Sequence, residues 1–256
     1  MKLIQGIANN LVKSNRYVVR FAQNEEEIKD AQRLRFQVFN LELGEGLSSA
    51  YDNQLDMDAY DEQCHHLLVI DKKSEQVIGT YRMQTYAIAS KKLGFYTGNE
   101  FDLSSIDDEI ITKSTEVGRA CIAKEHRNGR VLFLLWRGLA AYMKQMDTRY
   151  LFGCCSITSQ DAIEAWKVMD YLYQKNHIHP DIMVSTTEEY RCPKPSNLPS
   201  NAGDDVELPQ LFRLYMDIGT KVCSPPAIDR EFSTIDYLIL LDKDNIDERT
   251  RMLFFR

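Results

Sequence analysis

The stretch 114–138, STEVGRACIAKEHRNGRVLFLLWRG, decides how the rest of the chain is read. It opens with a strand-like run over 115–123 that carries Glu116 and Arg119 three residues apart. A basic turn with one glycine follows, Arg127-Asn128-Gly129-Arg130, and then an apolar helix to about Gln145. Strand, basic turn and helix in that order suit a phosphate, because a helix N-terminus presents unpaired backbone N–H groups. The glutamate before the turn needs its own reason. A carboxylate there can take a proton from a nucleophile, directly or through a held water. Glu116 and Gly118 share one strand face, and Arg119 lies on the other unless a bulge intervenes. A salt bridge from Glu116 to Arg82 or Arg119 is the purely structural alternative.

Working outward, residues 119–149 hold seven Lys/Arg against two acids, a local net charge of +5 in a chain of net charge −7. That contrast points to an anionic ligand or partner docked at one place, or to a solvated helix face, and argues against nucleic-acid binding. The 256 residues are 44% hydrophobic, enough for a real core. The six cysteines form no CxxC pair and read as reduced core thiols of a cytoplasmic protein. A zinc site from Cys64, His65 and His66 lacks paired ligand spacing, so no metal is expected. No run reaches the length of a membrane span. Leu3, Ile4, Ile7 and Leu11 fall at helical spacing with Lys2, Lys13 and Arg16 off the stripe. Residues 1–15 therefore read as an amphipathic segment, lying on the inner membrane or packed on the protein.

The remaining elements follow from periodicity and punctuation. Strands are expected at 16–22, at HHLLVID and QVIGTYRMQTYA, at 150–157 and at 234–242. Helices are expected over 24–40, capped by Asn24 with Glu27 three residues on, and over 159–175 with a Ser cap. A third helix is bracketed by Pro209 and Gly219. Residues 42–63 read as a long loop, 87–113 as an irregular excursion and 188–209 as a connector. His66 and Asp71 fit a His-x4-Asp acyltransferase pattern, but five residues along a strand put the two side chains on opposite faces.

RLRFQVF (33–39), DMDAYDEQCHHLLV (56–69), VIGTYRM (77–83) and STEVGRACIAKEHRNG (114–129) resemble the acyl-homoserine-lactone synthase branch of the GNAT acyltransferases. LLWRGLAAYM (134–143), LFGCCSI (151–157) and the run 208–242 resemble the ornithine-lipid-type N-acyltransferases, once called haemolysins. PAID…F…D over 226–236 is characteristic of the latter group. The resemblance implies an α/β GNAT-like fold, with a central mixed twisted sheet flanked by helices. It spans 16–256 as one domain, with a C-terminal extension from about 186. It implies transfer of a fatty acyl group, commonly 3-hydroxylated, from acyl carrier protein to the α-amine of ornithine, glycine or a similar amino acid. The phosphopantetheine thioester is then a co-substrate, and no cofactor is permanently bound.

By the same resemblance Glu116 is the candidate base, and Arg82 and Arg119 bind the acceptor carboxylate or brace Glu116. Arg33, Phe39, Asp56 and Asp61 close an N-terminal flap over the substrates. Backbone N–H groups near Val117, Gly118 and Cys121 polarise the thioester carbonyl, in an opening between the fourth and fifth strands. Arg127, Gly129 and Arg130 receive the pantetheine phosphate or the acidic carrier. Two rival readings stay open: an autoinducer synthase, although the Trp expected after the Arg…Phe helix is missing, and a membrane-associated haemolysin-like protein.

Overall fold

The computed structural model describes residues 12, 14–196, 198, 203 and 205–255. The apolar stripe at Leu3, Ile4, Ile7 and Leu11 lies outside them. Eight strands form one sheet: β1 (Tyr17–Phe21), β2 (His65–Asp71), β3 (Val77–Thr85), β4 (Ser114–Ile122), β5 (Tyr150–Ile157), β6 (Lys221–Val222), β7 (Ala227–Asp229) and β8 (Thr234–Asp242). The order is β1-β2-β3-β4-β5-β8-β6, with β7 also on β8. All neighbours are antiparallel except β4 and β5, which are parallel and joined by a crossover helix over Arg130–Gln145. The strands at the C-terminal end thus complete the sheet that the N-terminal strands begin.

The helices are α1 (Glu25–Phe36), α2 (Ala50–Asn53), α3 (Tyr86–Ala89), α4 (Asp108–Thr112), α5 (Arg130–Gln145), α6 (Ala162–Gln174), α7 (Gln210–Asp217) and α8 (Glu248–Phe254). Asn24 caps α1 as its sequence predicts, its side chain accepting from Glu27 N at 3.0 Å. Two expectations shift. The helix of 24–40 leaves α geometry at Phe36 and continues as a wider π-type turn over Gln37–Leu43, ended by left-handed Gly44. The cap of α6 is Asp161, not Ser159, because Asp161 is the side chain that accepts from Ile163 N.

Helix α5 lays Val131, Leu135, Leu139 and Tyr142 on the sheet in the main core. Gly138 lets it come close: a Cβ there would stand 2.7 Å from Leu67 Cδ2. The basic stretch is not one patch. The Arg119 side chain is 9% exposed and faces Asp56 and Asp58, Arg127 is paired with Glu42, and Arg149 holds Asp242 with Nη2–Oδ2 at 2.6 Å. Lys124 and Arg130 stay exposed around the turn before α5.

Candidate active site

The opening between β4 and β5 has a visible cause. Their parallel ladder pairs Ser114, Thr115 and Glu116 with Tyr150, Leu151 and Phe152, and then stops. A Cβ on the next residue, Gly153, would stand 2.2 Å from Val117 O, so only glycine fits where the strands part. Beyond this point Val117–Ile122 on one side and Cys154–Ser156 on the other line a cleft of about 410 Å³.

Strand β4 also carries a bulge. Thr80 pairs with Cys121 and Arg82 with Gly118, so Arg119 and Ala120 together face Tyr81. Arg119 takes a left-handed backbone, φ +50°. The bulge turns Arg119 onto the face of Glu116, and both line the cleft.

Glu116 is 5% exposed. Its cross-strand neighbour Gln84 donates to Oε2 at 2.6 Å. The irregular excursion supplies the other donors: Tyr96 N to Oε2 at 3.1 Å, and Thr97 N and Thr97 Oγ1 to Oε1, both at 2.7 Å. The two amides open a short 3₁₀ turn, Tyr96–Asn99, whose first N–H groups have no partner inside the turn. Four donors occupy both carboxylate oxygens. Neither Arg82 nor Arg119 is among them, so the expected salt bridge and the expected bracing role both give way.

The arginines belong to a different network. Arg35 Nε lies 2.8 Å from Asp56 Oδ1, which lies 3.5 Å from Arg119 Nε. Arg119 Nη2 meets Asp58 Oδ2 at 3.0 Å, and Asp58 Oδ1 meets Arg82 Nη1 at 2.6 Å. Arg82 Nη1 then meets Asp61 Oδ1 at 2.8 Å, and Asp61 Oδ2 returns to Arg35 Nη2 at 2.6 Å. The result is a closed, charge-neutral ring of three arginines and three aspartates. Burial alone would raise both Asp58 and Asp61, but Arg82 with Arg119, and Arg35 with Arg82, outweigh it and hold them below the ordinary carboxylate range. The Arg119 guanidinium also lies 4.1 Å from the Phe232 ring centre and 4.8 Å from that of Tyr96.

Arg33 is a correction. It sits on the outer face of α1 with Glu26 and Asp30, and Arg35, two residues on, is the arginine that turns inward. Two residues are about 200° around a helix, so the two cannot share a face. Asp56 and Asp61 sit in this buried ring, off the cleft lining, and Asp58 between them, unassigned from sequence, is what links Arg82 to Arg119. Phe39 lines the cleft and packs edge-on against Phe232, ring centres 5.8 Å apart. Val117, Gly118 and Cys121 line the cleft. So do Arg127 and Gly129, but Arg127 is committed to Glu42 and to Ile122 O. Gly129 has φ +78° and is the cap residue just before α5, and Arg130 is exposed to solvent. His66 Nε2 donates to Asp61 O at 3.0 Å while Asp71 meets Arg16, so the His-x4-Asp pair does not form.

Sequence reasoning also missed Thr97, Glu100, Asp229 and Asp236, all on the cleft wall. Asp229 and Asp236 lie in the PAID…F…D run that already stood out. Thr97 and Glu100 had no local signal.

A twisted sheet that splays after the fourth strand, a helix N-terminus beside the splay and a buried glutamate on the cleft wall together define a GNAT acyltransferase. The family model for the acetyltransferase (GNAT) domain matches residues 34–137. An L-ornithine N(alpha)-acyltransferase of Rhizobium meliloti (strain 1021) is 31% identical over 242 residues, covering 90% of this chain and 81% of that one. One from Rhodobacter capsulatus is 28% identical over 249 residues, covering 94% and 95%. The chain belongs to the L-ornithine N(alpha)-acyltransferase family. Among solved structures the AHL synthase LasI shares the fold, with a TM-score of 0.50 at 13% identity over 94% of this chain and 96% of that one.

Proposed function

We propose that the protein transfers a fatty acyl group from the phosphopantetheine thioester of acyl carrier protein to the α-amine of an amino acid, with ornithine the preferred acceptor. The observation that carries this reading is the placement of Glu116 and Thr97 on the wall of the cleft where β4 and β5 part. The acyl thioester lies in the opening, its tail against Leu43, Leu132 and Leu211. Backbone N–H groups of β4 beyond Glu116, left without a β5 partner, face the thioester carbonyl and stabilise the oxyanion that forms there.

The lone pairs of Glu116 are occupied, so its proton arrives through Thr97. The Thr97 hydroxyl already donates to Glu116 Oε1. It accepts a proton from the attacking amine as it passes its own to the carboxylate. The amine nitrogen forms its bond to the carbonyl carbon, the tetrahedral intermediate collapses, and the C–S bond breaks. The thiolate leaves and takes the proton held at Glu116.

The carrier is favoured over coenzyme A by the single-glycine turn and by exposed Lys124 and Arg130 beside it, which suit an acidic protein. The test is to incubate the protein with 3-hydroxyacyl carrier protein or the matching acyl-coenzyme A, with ornithine, and to mass-analyse the lipids. Nα-acyl-ornithine formed mainly from the carrier supports the reading. Equal use of coenzyme A removes the carrier assignment, and no N-acyl product removes the reaction.

A further inference from the structure

Past Thr97 the cleft wall carries three acids, Glu100, Asp229 and Asp236. Glu100 is fully buried and Asp236 is 3% exposed. Neither Glu100 oxygen accepts from a backbone amide or a hydroxyl, and its polar neighbours are the Cys154 thiol and the Asp236 carboxyl; Asp236 Oδ1 likewise has no such donor. Among the described residues no arginine, lysine or histidine makes an ion pair with any of the three. Atoms of Glu100, Asp236 and the Cys154 thiol lie within 4.8 Å of one another. Such an arrangement is costly, because buried like charges repel and buried acceptors want donors. Burial, then Asp236 and Asp229, push the Glu100 carboxyl well up. Burial first pushes Asp236 up to about 6.

We propose that Glu100 and Asp236, with Asp229 behind them, form the subsite for the side-chain ammonium of a basic amino acid acceptor. This rests on the amino acid N-acylation proposed above and names what selects the acceptor. The geometry supplies the span. Cys154 Sγ lies 4.0 Å from Thr97 Oγ1, which lies 2.7 Å from Glu116. The acidic pair is therefore two side chains away from the proton-accepting end, the scale of a short methylene linker. Phe232 and Tyr96 stand on the same wall and offer that linker apolar surface. An ammonium has three N–H donors, which fits several unpartnered oxygens.

A metal ion suits the set less well. Cys154 is held as a thiol, since burial and then Glu100 push it well up, and a protonated thiol is a poor ligand. The subsite also accounts for which amine reacts. An amine kept protonated between two carboxylates has no free electron pair, so only the α-amine at Thr97 can attack.

The test compares ornithine with norvaline, which has the same carbon chain and no side-chain amine. Wild-type enzyme is expected to prefer ornithine in kcat/KM by about 30-fold or more, the worth of one buried charge pair. Glu100→Gln and Asp236→Asn should each cut that preference at least tenfold through KM. Both should melt no lower than wild type, because each relieves the cost of burying two poorly satisfied carboxyl groups side by side. Calorimetry without any acyl donor gives an independent readout: ornithine binds, norvaline does not, and Glu100→Gln abolishes the difference.

Equal use of norvaline by wild type overturns the subsite while leaving the reaction standing. Equal loss with both acceptors in the variants also overturns it, as does Zn²⁺ or Mn²⁺ binding that needs Glu100 where ornithine binding does not. Selective ornithine binding with no acylation keeps the subsite and removes the reaction.

Discussion

Arg119 Nη2 lies 3.0 Å from Asp58 Oδ2, and that contact joins the bulged strand to the segment ahead of β2. Through it the six-membered ring fastens α1, residues 56–61, β3 and β4 into one unit. Removing one member leaves a buried cation without its balance. Asp58→Asn should cost about 3–5 kcal/mol of unfolding free energy in denaturant titration, while the double variant with Arg119→Met should recover part of it. Additive losses would show that the contact carries no coupling.

Glu116→Gln keeps the shape of the side chain and removes the proton acceptor. Turnover should fall roughly 10²–10⁴-fold with the circular dichroism unchanged. Thr97→Val removes the relay hydroxyl and keeps the backbone donor, so it should lower turnover in the same direction by a smaller factor. Near-normal turnover in folded Glu116→Gln would place the base elsewhere.

Gly153→Ala puts a methyl into Val117 O. The strands would have to separate before the natural parting point, at a cost of about 1–3 kcal/mol or more. Both the melting temperature and kcat should drop. Gly118→Ala, whose Cβ meets nothing within 4 Å, should leave the melting temperature near that of wild type.

Stability should depend on pH through two opposed groups. Burial pushes His66 down to about 4, so between about 4 and 6.5 the unfolded chain binds more protons than the native one. Its contribution, about 3 kcal/mol at most, is complete above 6.5 and lost as pH falls toward 4. Asp236, raised to about 6 by burial, works the other way: its contribution is present below its ordinary value and lost as pH rises through 6. Chemical denaturation of His66→Gln should show a shallower loss on acidification. The stability advantage of Asp236→Asn over wild type should widen from pH 4 to pH 7.

Donor docking is tested at the surface. Arg130→Glu and Lys124→Glu should raise KM for acyl carrier protein, and added salt should do the same to wild type. Arg33→Glu, on the outer face of α1, serves as the control and should not change it. No response to either charge would detach the turn from the donor.

Much of the fold was legible because local rules were sufficient. The continuous apolar run Tyr150–Ile157 became a strand with those bounds, and Asn24 capped the helix it preceded. The site was legible only where strand parity or a motif pointed to it, as for Glu116. Choosing Arg33 over Arg35 failed because it rested on the resemblance of RLRFQVF, which offers two arginines, and not on the helix face: Arg35, four residues after buried Ala31, is the one that turns inward. Glu100 was invisible for a different reason. Its sequence surroundings are those of a polar loop, and its burial arises only when Phe101 pairs with Thr186 and the excursion folds over β5.

The bulge in β4 has a consequence for how this segment can vary. Because Arg119 and Ala120 share one partner, Glu116 and Arg119 face the same way despite an odd separation. Replacing a side chain here removes that residue's own contacts and leaves the pleat in place. Deleting or inserting one residue between Glu116 and Cys121 would swap inside for outside along the rest of the strand. Length is therefore as much an invariant of Glu116–Cys121 as the identities of Glu116 and Arg119, and relatives should differ there by exchange of the other letters and not by gaps.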